Sequence, residues 1–292
     1  MEIRVLRYFL EMAREGNMTR AAERLHVTQP TLSRQIKELE EELGKKLFTR
    51  TNYSVNLTEA GILLRERAED ILDIVDKTEA EFRSMNELNA GDVYVGCAES
   101  DSIKYFARAV KKLQTQYPNI RCNMYSGNMQ DVTEKLDKGV LDFAIVMKYV
   151  DSSKYNFLKI QDEDRWGLFV PKADMIATKE SLQINELLNL PLICSRQWLE
   201  QDAPEWFEDD FSKLNVVATF NLTYNAFVMV REGIGYALAY DKLTYTGEHS
   251  DLKFIPVKNA PTSPMRIIWR KYQTFTPIAT LFFNELKEQF GE

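Results

Sequence analysis

The sequence predicts an α/β protein in three parts, and three observations carry that reading. Residues 20–44 form a pair of helical patterns joined by a tight turn, and a small hairpin follows. A heptad run extends without a break from Leu64 to Met85. Beyond about residue 90, strand patterns alternate with helical ones. The length, 292 residues with 45% hydrophobic and 28% charged side chains, suits more than one core and argues against a disordered or membrane class. No run approaches 18 apolar residues, and Glu2, Arg4, Arg7 and Glu11 interrupt any leader-like stretch at the start, so the cytoplasm is the expected location and no membrane partner is expected. Three widely spaced cysteines, Cys97, Cys122 and Cys194, predict no disulfide framework.

In the N-terminal part, Ala22 and Leu25 share one face of a first helix and Val27 falls in the turn. Leu32, Ile36, Leu39 and Leu43 then mark the inward face of a second helix. Thr28 is its expected cap, and Pro30 lies in the first turn, where a missing N–H costs nothing. The opposite face carries Gln29, Pro30, Ser33, Arg34 and Lys37, side chains that can bond base edges, touch a thymine methyl and neutralise phosphate. No acidic residue lies between Glu23 and Glu38, nor from Lys45 to Thr58, so both windows can approach a polyanion. The next segment, KKLFTRTNYSVNLTEAG, alternates as two short strands, Leu47–Arg50 and Ser54–Leu57, around a polar turn at 51–53. The whole is a winged helix-turn-helix pattern. The alternative is an ordinary helical hairpin with a solvated face. The basic character is local: residues 1–60 sum to +1 and the remainder to −8, giving −7 overall. Affinity for duplex DNA must therefore come from a small face, doubled by self-association.

Residues 6–61 resemble the N-terminal domain of the LysR-type transcriptional regulators. Phe9, Ala13, Gly16, Ala21, Ala22, Leu25, Thr28, Gln29, Pro30, Ser33, Ile36, Leu39, Glu40, Leu43, Gly44, Leu47, Phe48, Arg50, Leu57, Thr58 and Gly61 carry the resemblance. It implies that Gln29, Pro30, Thr31, Ser33 and Arg34 contact bases and backbone, with Lys37 beside them. It also implies that Arg50 and the wing tip, Asn52 and Tyr53, reach flanking phosphate and minor groove. Asn17 and Met18 replace the Ser and Phe usual before the first helix of the pair, which still leaves a capping side chain and an apolar plug. Tyr53 stands where the family commonly has Arg or Lys.

The heptad seam steps through Leu64, Ala68, Ile71, Val75, Thr78, Phe82 and Met85, with Thr58 as a cap, and neither Pro nor Gly occurs in residues 62–90. Some 28 residues of helix span about 42 Å. The strict period and the acidic remainder favour a coiled-coil partner over a helix packed on its own domain. Leu64, Ala68, Ile71, Val75 and Phe82 are the expected dimerisation residues. The resemblance implies the same linker helix, in a homodimer or homotetramer. Asn86–Asp92 breaks the pattern as a hinge.

Candidate strands beyond it are DVYVGC, IRCNMY, LDFAIV, RWGLFV, LPLICS, VVATF, GYALAY and RIIWR. Candidate helices cover 101–117, 129–138, 180–189, 223–232 and 275–290. Polar segments follow the strand ends, where open parallel sheets hold ligands. Residues 91–292 resemble the same family's effector domain, a relative of periplasmic solute-binding proteins with two lobes and two crossover strands. The expected organisation is 1–60 for DNA, 61–90 for the linker and hinge, and 91–292 for the effector domain. Lobe I would take about 91–162 and 266–292, and lobe II about 163–265. The resemblance implies a small-molecule effector near Ser100, Ser102, Asn128, Met147, Ser195 and Tyr224. Ser100 and Ser102 serve equally as caps of the helix over 101–117. Trp198, Trp206 and Phe207 read as lobe core, and Arg196 could hold a carboxylate.

Catalytic chemistry lacks its parts in this sequence. His26 and His249 have no partner motif, and there is no nucleophile elbow, Walker loop, zinc-binding helix or paired C-x-x-C, so neither catalytic nor metal-ligating residues nor cofactors are expected. The expected function is a sequence-specific DNA-binding regulator switched by an effector. Its partners would be an inverted repeat in promoter duplex DNA, a small molecule, a second copy of the chain and RNA polymerase. The alternatives are a small-molecule carrier or enzyme with an N-terminal dimerisation region, or a thiol-based redox sensor. The spacing and strand location of the cysteines speak against the last.

Overall fold

The computed structural model describes all residues except 51–54, 85–89, 148–149, 163, 263–264 and 292, and of Arg50 and Ser84 only the backbone. It divides into two compact units, Met1–Arg83 and Ser84–Glu292.

In the first unit, Val5, Leu6, Phe9 and Met12 line the buried face of α1 (Ile3–Glu15), which ends on left-handed Gly16. Asn17 caps α2 (Met18–Arg24), its side-chain oxygen accepting the N–H groups of Thr19 and Arg20 at 3.0 and 3.1 Å. His26 turns the chain with φ 54°, and Thr28 caps α3 (Gln29–Leu43), which stops at left-handed Gly44. Leu32, Ile36 and Leu39 are buried as expected. Leu43 is 40% exposed, because it lies one turn past the last layer of the core. The wing is an antiparallel pair, β1 (Phe48–Arg50) and β2 (Val55–Leu57); β1 starts one residue later than the alternation suggests, and Ser54 lies outside the described residues.

The long helix α4 (Glu59–Ser84) starts on Thr58, whose hydroxyl accepts the Gly61 N–H at 3.0 Å and donates to the Lys46 carbonyl at 2.7 Å. At Gly61 the helix passes so close to the wing that a Cβ would lie 2.2 Å from the Leu47 carbonyl oxygen. The assignment of Ala68 to an intersubunit seam is corrected here. Ala68 is fully buried, and with Leu72 it completes the core of its own unit, with Leu64 and Ile71 packed against that core. A unit this small cannot close a core with α1–α3 and the wing alone, so it takes one flank of the helix. Arg7 of α1 ties the same helix at Asp76, 2.6 Å away. Another flank stays in solvent: Leu63 and Ile74 are exposed, and Phe82 is 65% exposed. Met85 lies outside the described residues. Residues 86–89 of the expected hinge do so too, and the strand that follows already begins at Ala90.

The second unit holds two sheets. Lobe I is built on β3 (Ala90–Cys97), α5 (Ile103–Gln116), β4 (Asn119–Ser126), α6 (Met129–Asp137), β5 (Phe143–Met147) and β6 (Tyr155–Lys159). The chain then enters lobe II through β7 (Trp166–Pro171), β8 (Leu182–Gln183), β9 (Leu192–Ser195), α7 (Ala203–Phe207), β10 (Val216–Phe220), α8 (Thr223–Arg231), β11 (Tyr236–Tyr240) and β12 (Leu252–Lys258). It returns to lobe I with β13 (Met265–Arg270) and α9 (Pro277–Phe290). Strand orders are β4-β3-β5-β13-β6 and β10-β9-β11-β7-β12-β8. β3 pairs in parallel with β4 and β5, and β9 in parallel with β10 and β11, whereas β13 runs antiparallel to β5 and β6. The cores are aromatic: Phe143 stacks with Phe275 and Phe283 in lobe I, and Phe169 meets Phe227 and Phe254 in lobe II.

Two expectations change. Residues 180–189 form the short β8 and a 3₁₀ turn (Ile184–Asn189) rather than an α-helix. β6 and β12 are not among the expected strands; pairing with β13 and with β7 makes them strands. The return to lobe I comes at Met265, one residue early.

Candidate DNA-reading face and effector cleft

α3 presents Gln29, Pro30, Thr31, Arg34 and Lys37 to solvent, with Ser33 half-buried. The Thr28 hydroxyl oxygen accepts the Thr31 N–H at 3.4 Å and lies 2.8 Å from the Thr31 hydroxyl, which fixes the first turn. The Gln29 amide makes only a 3.4 Å contact with Met18 Sδ. Arg34 and Lys37 face Glu38 and Glu41 one turn on, at 3.7 and 3.4 Å. Exposed pairs of that spacing are worth only ~0.3–0.5 kcal/mol, so both cations can exchange their carboxylates for phosphate.

Glu40 joins α3 to the wing. One carboxylate oxygen accepts the N–H groups of Leu47 and Phe48 at 2.9 and 3.3 Å, and the other meets Lys46 Nζ at 2.8 Å. Burial pushes this carboxyl upward, but the Lys46 bond and the two N–H donors outweigh it and hold it below the ordinary carboxylate range. The sequence pattern placed Glu40 in the family resemblance without a role; the fold shows it pinning helix to wing. Asn52 and Tyr53, and the side chain of Arg50, lie outside the described residues.

In the second unit a cavity of about 290 Å³ opens between the lobes. Lobe I contributes Ala98 and Glu99 after β3, Gly127–Met129 before and at the start of α6, and Met147 at the end of β5. Lobe II contributes Trp166, Ser195–Trp198, Asp202, the Phe220–Thr223 turn, Leu238–Tyr240 and Leu243. The carboxyl ends of β3, β4, β9 and β10 therefore converge, each followed by a helical start, as the parallel-sheet argument predicts. Trp166, Trp198 and Tyr240 form one wall: the Trp166 and Tyr240 ring centroids lie 4.0 Å apart, and Trp206, in the lobe core, stands edge-on to both indoles.

Of the expected effector residues, Asn128, Met147 and Ser195 lie on this wall. Asn128 also caps α6 in a reciprocal box with Asp131, and the Ser195 hydroxyl accepts the Trp198 N–H at 3.1 Å. Three placements are corrected. Tyr224 is 69% exposed and off the wall, because α8 turns its first residues so that Thr223, not Tyr224, faces the cleft. Ser100 and Ser102 are buried and do not line the cavity, and although Ser102 holds the N-cap position of α5, its side chain accepts no helix N–H. The Ser100 hydroxyl donates to Asp164 Oδ2 at 2.6 Å, and Ser102 Oγ contacts Met265 Sδ at 3.1 Å. Both serines thus tie the end of β3 to the two crossings between lobes. Burial there raises the Asp164 carboxyl, with the Ser100 bond opposing.

Sequence reasoning missed Glu99, Trp166, Thr223 and Tyr240, and assigned Trp198 to core alone. Trp198 is both core and wall. The available signal was positional: each lies at or just beyond a strand terminus. Glu99 does more than line the cavity, since its Oε2 accepts the Thr223 N–H at 2.5 Å across the cleft.

The helix-turn-helix segment matches, over residues 3–62, the model of the bacterial regulatory helix-turn-helix protein, lysR family. Residues 86–291 match that of the LysR substrate binding domain. The chain belongs to the LysR family of transcriptional regulators. This LysR-family regulator is 25% identical to YybE, an HTH-type transcriptional regulator of Bacillus subtilis, over the full length of both chains. It is 27% identical to YbhD of Escherichia coli, over 97% of this chain and 90% of the relative. In fold it resembles CbnR, a LysR family transcriptional regulator, with 20% identity, complete coverage of both chains and a TM-score of 0.77. Full-length CbnR complexed with its target DNA matches at 21% identity, 99% coverage of each chain and 0.74. Among the described residues, no helix is long and apolar enough to cross a membrane.

The thiol-sensing alternative has no support in the geometry. Cys97 and Cys194 are buried and Cys122 half-buried, and burial pushes their thiols up to about 12, about 12 and about 11. A thiol so far above neutrality supplies almost no thiolate to an oxidant.

Proposed function

We propose that residues 1–60 read an inverted repeat in promoter DNA, residues 61–90 join two copies of the chain, and residues 91–292 hold a small-molecule effector whose binding is transmitted to the DNA-bound assembly. The observation that carries the DNA reading is the solvent-facing set Gln29, Pro30, Thr31, Arg34 and Lys37, with half-buried Ser33 among them, on a capped helix held to its wing by Glu40. Base contacts come from the first turn and from Arg34, phosphate contacts from Lys37 and Arg50, and minor-groove contacts from Asn52 and Tyr53. The exposed flank of α4, with Leu63, Ile74 and Phe82, supports self-association as a dimer or tetramer; Leu64, Ile71 and Val75 border it, and Ala68 takes no part. That CbnR has been solved on its target DNA supports the reading for a chain of the same fold.

The protein acts in the cytoplasm, as a binding protein rather than a catalyst, and RNA polymerase is its functional partner at the promoter. Coupling between cleft and DNA is of the usual allosteric size, ~1–3 kcal/mol. Gel shift of the purified chain against DNA from upstream of its own gene and of its divergent neighbour tests this reading. A shift that unrelated competitor DNA does not abolish is expected, and Arg34→Ala should lose it. A shift equally competed by random duplex would sink the reading.

A further inference from the structure

We propose that the outer edge of β6 docks an acidic, extended segment of a partner protein, which adds a strand to the lobe I sheet. The proposal draws on no residue of the cleft or of the DNA-reading face.

The backbone provides half of the site. β6 ends its sheet, with β13 on one side and no described strand on the other. The Ile160 N–H donates to the Met265 carbonyl at 3.0 Å and the Lys271 N–H to the Lys154 carbonyl at 2.8 Å, and the register between them pairs Leu158 with Ile267 and Asn156 with Trp269. In an antiparallel pair, hydrogen-bonded positions alternate with positions whose N–H and C=O face away, so those of Tyr155, Phe157 and Lys159 face outward. Tyr155 spends its N–H on the Asp151 carbonyl at 3.1 Å. Phe157 and Lys159 therefore offer two donors and two acceptors at the two-residue spacing that an incoming strand matches.

Side chains provide the other half. Beside this edge lies an open groove of about 540 Å³, lined by Leu158, Trp269 and Phe283 and by Lys271 and Lys287. Phe157 lines it too; the ring is 42% exposed, and the Arg266 guanidinium holds it in place from 5.0 Å. Lys154 and Lys159 stand exposed at the two ends of the strand. None of these four lysines makes an ion pair among the described residues, whereas Lys104, Lys112, Lys179 and Lys213 each meet a carboxylate. Asp151, near the first of them, is occupied with the Ser153 N–H at 2.8 Å. Residues 61–292 sum to −8, so the strip is a local positive feature on an acidic background, and charge complementarity selects an acidic occupant. The other edge of the same sheet differs: on β4, Arg121 is already forked onto Asp92, with both bonds at 2.9 Å. Lysines by themselves keep an edge from pairing with other chains, but that role calls for neither a groove nor a ring fixed beside it. A nucleic acid would meet the lysines and leave the backbone edge unused. An acidic peptide accounts for all three features.

Four fluorescein-labelled probes test this by anisotropy on the full chain without DNA: the peptide EEVFVEE, its counterpart KKVFVKK, and two forms of the acidic peptide N-methylated at alternate backbone amides, even or odd. Saturable binding of the acidic peptide is expected with a Kd under about 100 μM, as suits a weak, transient interface. One N-methylated form should match the parent and the other lose at least about tenfold, because only alternate amides face β6. The double substitution Lys271→Glu with Lys287→Glu, and separately Phe157→Ala, should each weaken the acidic peptide by about tenfold. Thermal unfolding verifies that these variants fold; the N-methylated pair uses the unaltered chain and decides the matter if they do not. The proposal is overturned by no saturable binding, by equal affinity for the two N-methylated forms, by unchanged affinity in the folded variants, or by tighter binding of the lysine peptide. Displacement of the acidic peptide by random duplex DNA would assign the lysines to nucleic acid and overturn it as well. Since the titration involves neither operator nor effector, its failure is distinct from a failed gel shift.

Discussion

The reading head and the cleft are built on opposite plans. Every described side chain proposed to touch DNA lies on one helix within nine residues, Gln29–Lys37, and is oriented by the 3.6-residue period alone. The cleft draws its wall from segments spread between Ala98 and Leu243, and a bond across it joins residues 124 apart in sequence, Glu99 and Thr223. A surface carried by one helix survives as long as that helix is held in place. A surface carried by loops at strand ends exists only once two sheets have formed and been joined. The residues that matter for the head are therefore its fasteners, Gly61, Glu40 and Thr28, and for the cleft its crossings, Ser100, Asp164 and Met265.

Substitutions at these fasteners separate the two plans. The largest effect is expected at Gly61. An alanine Cβ would collide with the backbone at Leu47, and overpacking of this kind costs ~3 kcal/mol, so Gly61→Ala should unfold the wing and head while circular dichroism of the second unit persists. Next is Ser100→Ala, which takes the hydroxyl donor from the buried Asp164 carboxylate at a cost of ~2 kcal/mol in denaturant unfolding. If Ser100 instead faced the cavity and carried no buried bond, Ser100→Ala would leave denaturant unfolding little changed.

The carboxyl of Asp164 gives this region a pH signature. Raised in the folded state, it keeps its proton where the unfolded carboxyl has lost it. Its contribution is present below the ordinary carboxylate range and is lost as pH rises through the folded value. Asp164→Asn should flatten that decline in a series of melts between about pH 4 and 7.

Arg34→Ala should cost ~1–3 kcal/mol of operator discrimination with no change in melting, which footprinting against mutated half-sites will measure. Glu40→Gln should cost ~1–2 kcal/mol above about pH 5, through loss of the Lys46 bond and weaker acceptance from Leu47 and Phe48. The sign is the reverse of that at Asp164. The folded Glu40 carboxyl is depressed, so its stabilisation holds above the unfolded value near ~4.3 and disappears on acidification, and the variant should converge with the parent in acid melts. Smallest is Thr28→Ala, ~1 kcal/mol of head stability from the lost cap.

The legible portions of the sequence follow the same division. The turn between α2 and α3, the Thr28 and Asn17 caps, the wing and the strand-helix alternation could all be read, because each depends on neighbours within a few residues. Ala68 was misassigned because a heptad period states that a flank is apolar and leaves open what covers it; here the head's own core does. Ser100 and Ser102 were misassigned for a related reason. A serine before a helix has cap, ligand and tether among its options, and only the arrival of Asp164 and Met265 from distant segments selects the tether.

Sequence alone determined the helix-turn-helix with its polar outward face, the long apolar-flanked helix and the α/β class of the second half, since these follow from periodicity and from capping chemistry local to the chain. Tertiary structure alone decided which flank of α4 is spent on the head, which strand-end residues face the cleft, and that Glu99 caps a helix of the opposite lobe. Those outcomes depend on contacts between segments far apart in the chain, and pairing in space is information that a one-dimensional pattern does not carry.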